Sequence, residues 1–412
     1  MAVHPTRRAF LRTASAATAA ATLTARQWAR AAGANERLSL GVIGCGDRGR
    51  NALMKQCQRF GKEENVEITA VCDPWKSMRD EAVALCRAEY GREPRQVSRW
   101  QELLALEDID AVMIACPDFL HATVLKAAAE AGKDAYCEKP WAMEIGELNA
   151  AFDAVKKHNR IVQAGTQLRS EPSFTGCRRL VQSGALGRVF KVAQVRNGAR
   201  PYWHTYGQRP IREDEVDWKA FLGPRPDRPF NGKLLAGWYG YREFSSGPIG
   251  GFMSHFIDLV HYITGERFPA SAVTLQGKKV YDDDFTCPEV VETTLLYPSG
   301  MLVSYATSFG NGGGNLMHWF GTRGLLDSTD WNSPVVKGGG YEEPRAKEGP
   351  VEPVDIAPHM QNWLRCLRTR EQPNANVDAG YQHGVACILS DRAMVEGRRM
   401  VFDAEKREIL PG

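Results

Sequence analysis

The chain has 412 residues, too many for one small domain and about right for two. Hydrophobic residues make up 43% and charged residues 25%, the balance of an ordinary globular protein. The formal charge is +3, yet the first 32 residues hold five arginines and no acid, which leaves 47 basic against 49 acidic residues in the rest. That balance gives no reason to expect nucleic acid or an anionic membrane as a partner.

The N-terminal segment reads as an export signal. Thr6, Arg7, Arg8, Ala9, Phe10, Leu11 and Arg12 resemble the twin-arginine motif. The alanine-rich run over 13–25 is too short and too polar to span a bilayer. The expectation is a signal peptide over 1–34, recognition by the twin-arginine export machinery, and a periplasmic or otherwise exported location.

The next stretch organises the chain. A strand over 38–43 runs into Gly44, Cys45, Gly46, Asp47, Arg48 and Gly49, a helix follows over 51–60, and a second strand over 66–72 ends at Asp73. A GxGxxG between strand and helix, with an acid 24 residues after its last glycine, is the dinucleotide-binding fingerprint. Gly44 permits the tight turn, Gly46 admits the pyrophosphate and Gly49 lets helix and strand pack closely. The helix N-terminus faces the phosphates, with Asp47 and Arg48 beside them. Asp73 accepts from the ribose hydroxyls and repels a 2′-phosphate, so NAD is the expected cofactor. Lys76 and Arg79 keep NADP as the weaker alternative.

Helices are predicted over 76–90, 100–106, 121–131 and 144–158, and strands over 111–115, 134–137 and 161–164. This alternation predicts a parallel sheet with helices on both faces and ligands beyond the strand ends. Pro117, Asp118, His121, Glu138 and Lys139 fall at those ends. Beyond residue 164 the rhythm changes. Four strand-like runs, over 272–281, 290–297, 301–309 and 316–321, lack intervening helices and predict an antiparallel sheet. Helices over 173–183, 250–263, 359–369 and 382–397 and a strand over 188–197 complete this half. The expected domains are a Rossmann domain over 36–160 and an α/β domain over 161–412. The ten cysteines form no CxxC pair and no zinc spacing, so they read as small buried hydrophobes, and no metal is expected.

Lys139 follows a buried strand at the cofactor end of the sheet. There a lysine can polarise a carbonyl, donate a proton or orient a histidine. On a helical wheel, Phe252, Phe256, Leu259, Val260 and Ile263 form one stripe, and Gly251, His255 and Asp258 share the sector beside it. Arg169, Tyr202, Trp203, His204, Tyr239 and Arg242 are substrate-pocket candidates, since aromatic faces stack on sugar rings and arginines fix hydroxyls. Gln167 is a candidate for the same pocket and for the cofactor.

These pieces resemble the glucose–fructose oxidoreductase and inositol dehydrogenase family. The resemblance rests on the glycine fingerprint, on Ala115 to His121, Glu138-Lys139-Pro140, Gly165 to Arg169, the helix over 250–265 and Gly321 to Gly324. It implies a Rossmann domain followed by an α/β domain with a large open, mostly antiparallel sheet that often supports homo-oligomers. It also implies NAD or NADP, a sugar or cyclitol substrate, Lys139 as the catalytic lysine and His255 as the general base. In related dehydrogenases the helix reads Asp-x-x-x-His. Here Gly251 replaces the aspartate, and Asp258 is the candidate substitute. The first reading is an exported oxidoreductase with a tightly bound cofactor. The alternatives are a glycosidase-like enzyme working by transient oxidation and elimination, and a non-catalytic sugar-binding relative. Gly251 is expected to open space beside His255.

Overall fold

The computed structural model describes residues 37–206 and 211–412. The expected signal peptide lies outside the described residues. Among them, no helix is long and apolar enough to cross a membrane.

Strands β1 (Leu38–Ile43), β2 (Val66–Cys72), β3 (Arg95–Val97), β4 (Ala111–Ile114), β5 (Asp134–Cys137) and β6 (Val162–Ala164) form one sheet in the order β3-β2-β1-β4-β5-β6. Every pair in it is parallel. All residues of β4 and β5 are buried, which is why they read as short uninterrupted runs rather than as alternating ones. Strand order reverses between β1 and β4, and a crevice opens there at the carboxyl ends.

The expected boundary after residue 160 cuts this sheet, because β6 pairs with β5 along Ala135 to Cys137. The sheet also borrows from the far end of the chain. Met360, Trp363 and Leu364 of the helix His359–Thr369 pack in the same core as Leu40 and Val42. The Gln163 side chain donates to His359 O at 2.5 Å, and Ala164 N donates to Ala375 O at 2.7 Å. The first sheet is therefore completed by residues far beyond 160.

The second sheet has ten strands. They are β7 (Val189–Val195), β8 (Ser271–Gln276), β9 (Val290–Leu296), β10 (Leu302–Ser308), β11 (Leu316–Gly321), β12 (Leu325–Asp327), β13 (Val335–Lys337), β14 (Gly349–Pro350), β15 (Met400–Asp403) and β16 (Glu408–Pro411). Their order is β14-β13-β12-β11-β7-β10-β9-β8-β15-β16. Only the β7–β10 pair is parallel among the long strands, so the mostly antiparallel expectation holds. On β10, Val303, Tyr305 and Thr307 are buried while Leu302, Ser304 and Ala306 line the open face.

Strand β8 stops at Gln276, short of the predicted 281, and β3 and β12 to β16 lie outside the predicted strands; each of these six has only two to four residues. The helix Val377–Glu396 begins ahead of the predicted 382 because Asn376 caps it, accepting from Ala379 N at 3.2 Å. Two helices open with a π-helical segment, Arg48–Met54 and Ile249–Met253. Both lie beside the site, where such wider turns concentrate.

Candidate active site

The glycine loop is built as its sequence demands. Gly44 has φ +95°, a conformation that L side chains rarely adopt, and a Cβ there would overlap the Ala115 backbone. A side chain on Gly49 would overlap Gly44 O, whereas one on Gly46 would meet nothing within 4 Å. The open side of Gly46 faces a cleft of about 440 Å³. Gly44, Gly46, Asp47, Arg48, Asp73 and Pro117 all line this cleft. Asp73 Oδ2 accepts from Cys45 N at 2.8 Å and Oδ1 from Trp75 N at 2.9 Å. Each oxygen keeps a lone pair for a ligand hydroxyl. Burial pushes its pKa up to about 6, against those two backbone donors and nearby Arg79 and Arg50. A pyrophosphate cradle with a carboxylate at its end fits a dinucleotide.

The other expected cofactor residues sit deeper. Arg48 Nε donates to Glu138 Oε1 at 2.6 Å, linking the glycine loop to the end of β5. Gln167 Nε2 donates to the Tyr136 hydroxyl at 2.6 Å and lies 3.2 Å from Glu138 Oε1. His121 is buried, with Nδ1 2.7 Å from Pro140 O and Nε2 without a partner. Asp118 accepts from Ser245 Oγ at 2.7 Å, and burial raises its pKa despite nearby His121 and Lys139.

Lys139 is the hinge between the two halves. Its Nζ donates to Gly251 O at 2.8 Å, at the head of the helix Ser254–Thr264 that carries His255. Burial pulls the lysine pKa below its usual value, opposed by Glu138 and Asp118. His255 is held well below the ordinary histidine range by burial, then by the charges of Lys139 and Arg48. It is therefore neutral at pH 7, and its Nδ1 is buried without a partner. A neutral imidazole next to a lysine ammonium, both desolvated, can accept a proton and stabilise a developing alkoxide.

Two expectations about this helix are corrected. Gly251 does not open space beside His255, because Tyr202 fills it. A Cβ on Gly251 would overlap the Tyr202 hydroxyl and lie 2.9 Å from Cζ, and that hydroxyl donates to Gly247 O at 3.1 Å. Burial raises the Tyr202 pKa well above the usual value, so it keeps its proton. Asp258 does not partner His255. Its Oδ2 accepts from Arg169 Nε at 2.7 Å, and both residues are buried. His255 and Asp258 lie in the same regular helix, so the reason is the long-range partner Arg169, while Gly251 falls in the π-helical segment Ile249–Met253 ahead of that helix.

The expected substrate residues divide in the same way. Tyr239 lines the cleft and stacks on Trp238, with centroids 3.6 Å apart. Tyr202 borders the Lys139 contact through Gly251. Arg169 gives its Nε to Asp258 while its Nη2 stays buried without a partner, and Arg242 makes two bonds to Asp391, at 2.5 and 2.9 Å, so the Arg242 fork is not free for a sugar. His204 is paired with Asp283 at 2.8 Å, and Trp203 is fully buried among aromatic rings. Apart from Tyr239, sequence reasoning missed Ala220, Phe221, Leu235, Ala236 and Trp238, which also line the cleft. They sit on five-residue helices and short turns, too brief for a periodic signal of a binding wall.

The family model described as an oxidoreductase family with NAD-binding Rossmann fold matches residues 38–166, and the GFO/IDH/MocA C-terminal domain matches residues 219–327. Levoglucosan dehydrogenase of Pseudarthrobacter phenanthrenivorans is 31% identical over 193 residues, 47% of this chain and 42% of that protein. Inositol 2-dehydrogenase 1 of Saccharopolyspora erythraea is 33% identical over 162 residues, 39% of this chain and 46% of that protein. The match thus spans less than half the length of these curated relatives. Among solved structures, the aldose-aldose oxidoreductase from Caulobacter crescentus superposes with a TM-score of 0.67 at 20% identity, covering 89% of this chain and 100% of that one. Levoglucosan dehydrogenase in complex with NADH and levoglucosan gives 0.66 at 19%, covering 91% and 99%. At such identities the superpositions speak to the fold. With a fingerprint cleft in the first half, a matched second half and the two family models together covering more than half of its length, the chain belongs to the GFO/IDH/MocA family of oxidoreductases and carries its NAD-binding Rossmann fold.

Proposed function

We propose that the protein is an exported oxidoreductase that moves a hydride between a hydroxyl-bearing carbon of a sugar, glycoside or cyclitol and an NAD held in the cleft. One observation carries this reading: Lys139 bonds the backbone at the head of the helix that carries a buried, neutral His255, and the neighbouring Glu138 ties this end of β5 to the glycine loop through Arg48. When bound, the nicotinamide supplies the hydride acceptor or donor. His255 takes the hydroxyl proton during oxidation. The Lys139 ammonium stabilises the charge that develops on that oxygen. It also disfavours the imidazolium, so His255 gives its proton up readily. Tyr202 keeps its proton, so it donates a hydrogen bond and cannot serve as a base. The names of the relatives, a levoglucosan and an inositol dehydrogenase, support a polyhydroxylated substrate. The hydrolytic alternative needs room beside His255 for an aglycone and water, and Tyr202 occupies that room.

Export places the protein away from soluble NAD, so the cofactor is carried out bound and is recycled in place. The open face of the second sheet is the surface we assign to a second copy of the chain. The test is to mix the protein with NAD and a panel that includes levoglucosan, inositol and free aldoses. Growth of NADH absorbance with a keto product is expected. A chain that binds NAD yet oxidises none of the panel, and instead releases aglycone from an aryl glycoside, overturns the net redox assignment. For export, Arg7→Lys with Arg8→Lys is expected to leave the protein in the cytoplasm, and equal periplasmic amounts of both versions would refute it.

A further inference from the structure

The NAD-binding family model stops at residue 166, but the cleft does not. Its far end, beyond Asp73, is walled by Trp75 and Trp100 from the first half. Ala220, Phe221, Leu235 and Ala236 come from the second half and line the same cleft.

The segment that supplies these four residues is fixed to the first half. Trp75 and Val216 form an antiparallel bridge, and Asp217 N donates to Pro74 O at 2.9 Å. Arg99 Nε donates to Asp217 Oδ2 at 2.8 Å, and Ser77 Oγ donates to Glu215 Oε2 at 2.9 Å. Asp217 also caps the short helix Trp218–Leu222, accepting from Ala220 N at 3.0 Å. One aspartate thus ties the second half to Arg99 and sets the turn that presents Ala220. Behind it, Trp218, Phe221 and Phe244 stack in sequence with interplanar angles of 17°. The wall is therefore backed by rigid aromatic packing.

Two features of this end point to a flat, polar-edged ligand. The side chains that meet the cleft here are Trp75 and Trp100 from one half and Ala220, Phe221, Leu235 and Ala236 from the other, an apolar lining. The Trp75 indole N–H is buried and has no acceptor. An orphaned buried donor costs stability unless a ligand satisfies it.

We propose that residues 216–236 form the second wall of an adenine subsite, a slot for the purine of the dinucleotide built from both halves of the chain. Trp75 and Trp100 offer it aromatic faces, and the Trp75 N–H is the donor left for a purine or ribose acceptor. The inference rests on the nucleotide reading above and extends it to residues outside the matched NAD-binding fold. A ligand buried between two tethered halves leaves slowly, since its release requires opening the wall.

The experiment compares two nucleotides that differ in the adenosine. Calorimetric titration measures NADH and reduced nicotinamide mononucleotide, which lacks adenosine, against the parent chain, Ala220→Leu, Ala236→Leu and Trp75→Phe. Filling the slot is expected to weaken NADH by about tenfold to a hundredfold, the range of lost base–aromatic contact. The mononucleotide should change less than about twofold. Thermal melting of each variant checks folding, and the two leucine variants act on separate stretches of the wall. If the parent binds NADH and both leucine variants bind it equally well, the slot is refuted and the nucleotide reading stands. Equal weakening of both nucleotides also refutes the slot. A parent that binds neither nucleotide overturns both inferences.

Discussion

The two ends of the site are built on opposite plans. At the nucleotide end the key atoms are turned outward. Gly46 faces open space, and Asp73 and Pro117 line the cleft. At the reacting end the key groups are folded into the protein. Lys139 is held by the Gly251 carbonyl, Tyr202 occupies the volume beside that glycine, and Asp258 of the His255 helix forms a buried pair with Arg169 from the turn Gln167–Ser170. The first plan serves affinity, because a ligand completes it. The second serves chemistry, because dry, fixed charges act more strongly on a developing charge than wet, mobile ones. Substitutions at the two ends should therefore fail in different ways.

The largest effect is expected at the reacting end. Lys139→Ala and His255→Ala should each lower turnover by roughly 10²–10⁴-fold, the usual loss for a positioned acid–base group, while nucleotide binding stays within a few-fold. Steady-state rates on a confirmed substrate, set beside NADH titration, test this. A variant that loses binding and keeps turnover would reverse the contrast drawn above.

Stability comes next. Asp258→Ala leaves the Arg169 charge buried without its partner, which should cost about 3–5 kcal/mol. Asp73→Ala removes a group at the cleft wall and should cost much less, while weakening NAD. Denaturant melts of the two variants give the comparison directly. Equal destabilisation would mean that Asp73 is as structural as Asp258.

A third substitution probes the filled slot. Gly251→Ala forces its new methyl into the Tyr202 hydroxyl and should cost about 1–3 kcal/mol, as overpacking does. Combined with Tyr202→Ala, the loss from Gly251→Ala should shrink, a coupling that a double-mutant cycle measures. Additive losses would mean that the two residues do not share that space.

The smallest effect is a matter of pH. With its pKa raised to about 6, Asp73 is charged at pH 7 and largely neutral at pH 5 in the free protein. Its repulsion of a 2′-phosphate should therefore fade as pH falls through 6, and the preference for NAD over NADP should narrow. The folded chain also holds this proton between pH 3.8 and about 6, where the unfolded chain has lost it. Asp73 thus favours folding below that window, and the contribution is lost as pH rises through 6. NAD and NADP titrations at both pH values test the first statement; a constant ratio would contradict it.

The nucleotide end was legible in the sequence because it is local. Gly44 to Asp73 is one contiguous supersecondary unit, and the predicted strands over 38–43 and 66–72 match β1 and β2. The reacting end joins parts of the chain that lie far apart. The motifs point to Lys139 and His255 as candidates, but the Lys139 bond to Gly251, the Tyr202 insertion and the Arg169–Asp258 pair connect residues about 50 to 110 positions apart, for which spacing carries no signal. The π-helical segment at Ile249–Met253 added a second obstacle, since a wheel drawn at a uniform angle of about 100° per residue does not apply across it. Arg242 shows the limit of residue type as a guide: an arginine in an aromatic loop looks available to a sugar, and Asp391 had already claimed it.

The return of the chain's end to its beginning bears on how the protein is made. Trp363 and its neighbours cover one face of the first sheet, and the helix Val377–Glu396 packs against elements of both sheets. A ribosome that has finished the fingerprint and all six strands of that sheet still holds an incomplete core. The covering helices, over 359–369 and 377–396, emerge only long after β6 at Val162–Ala164. Until then the nascent chain exposes an apolar face, which makes it a client for chaperones throughout most of its synthesis. Folding of the first sheet thus waits for those helices, and a premature stop codon anywhere ahead of them leaves that sheet without its cover.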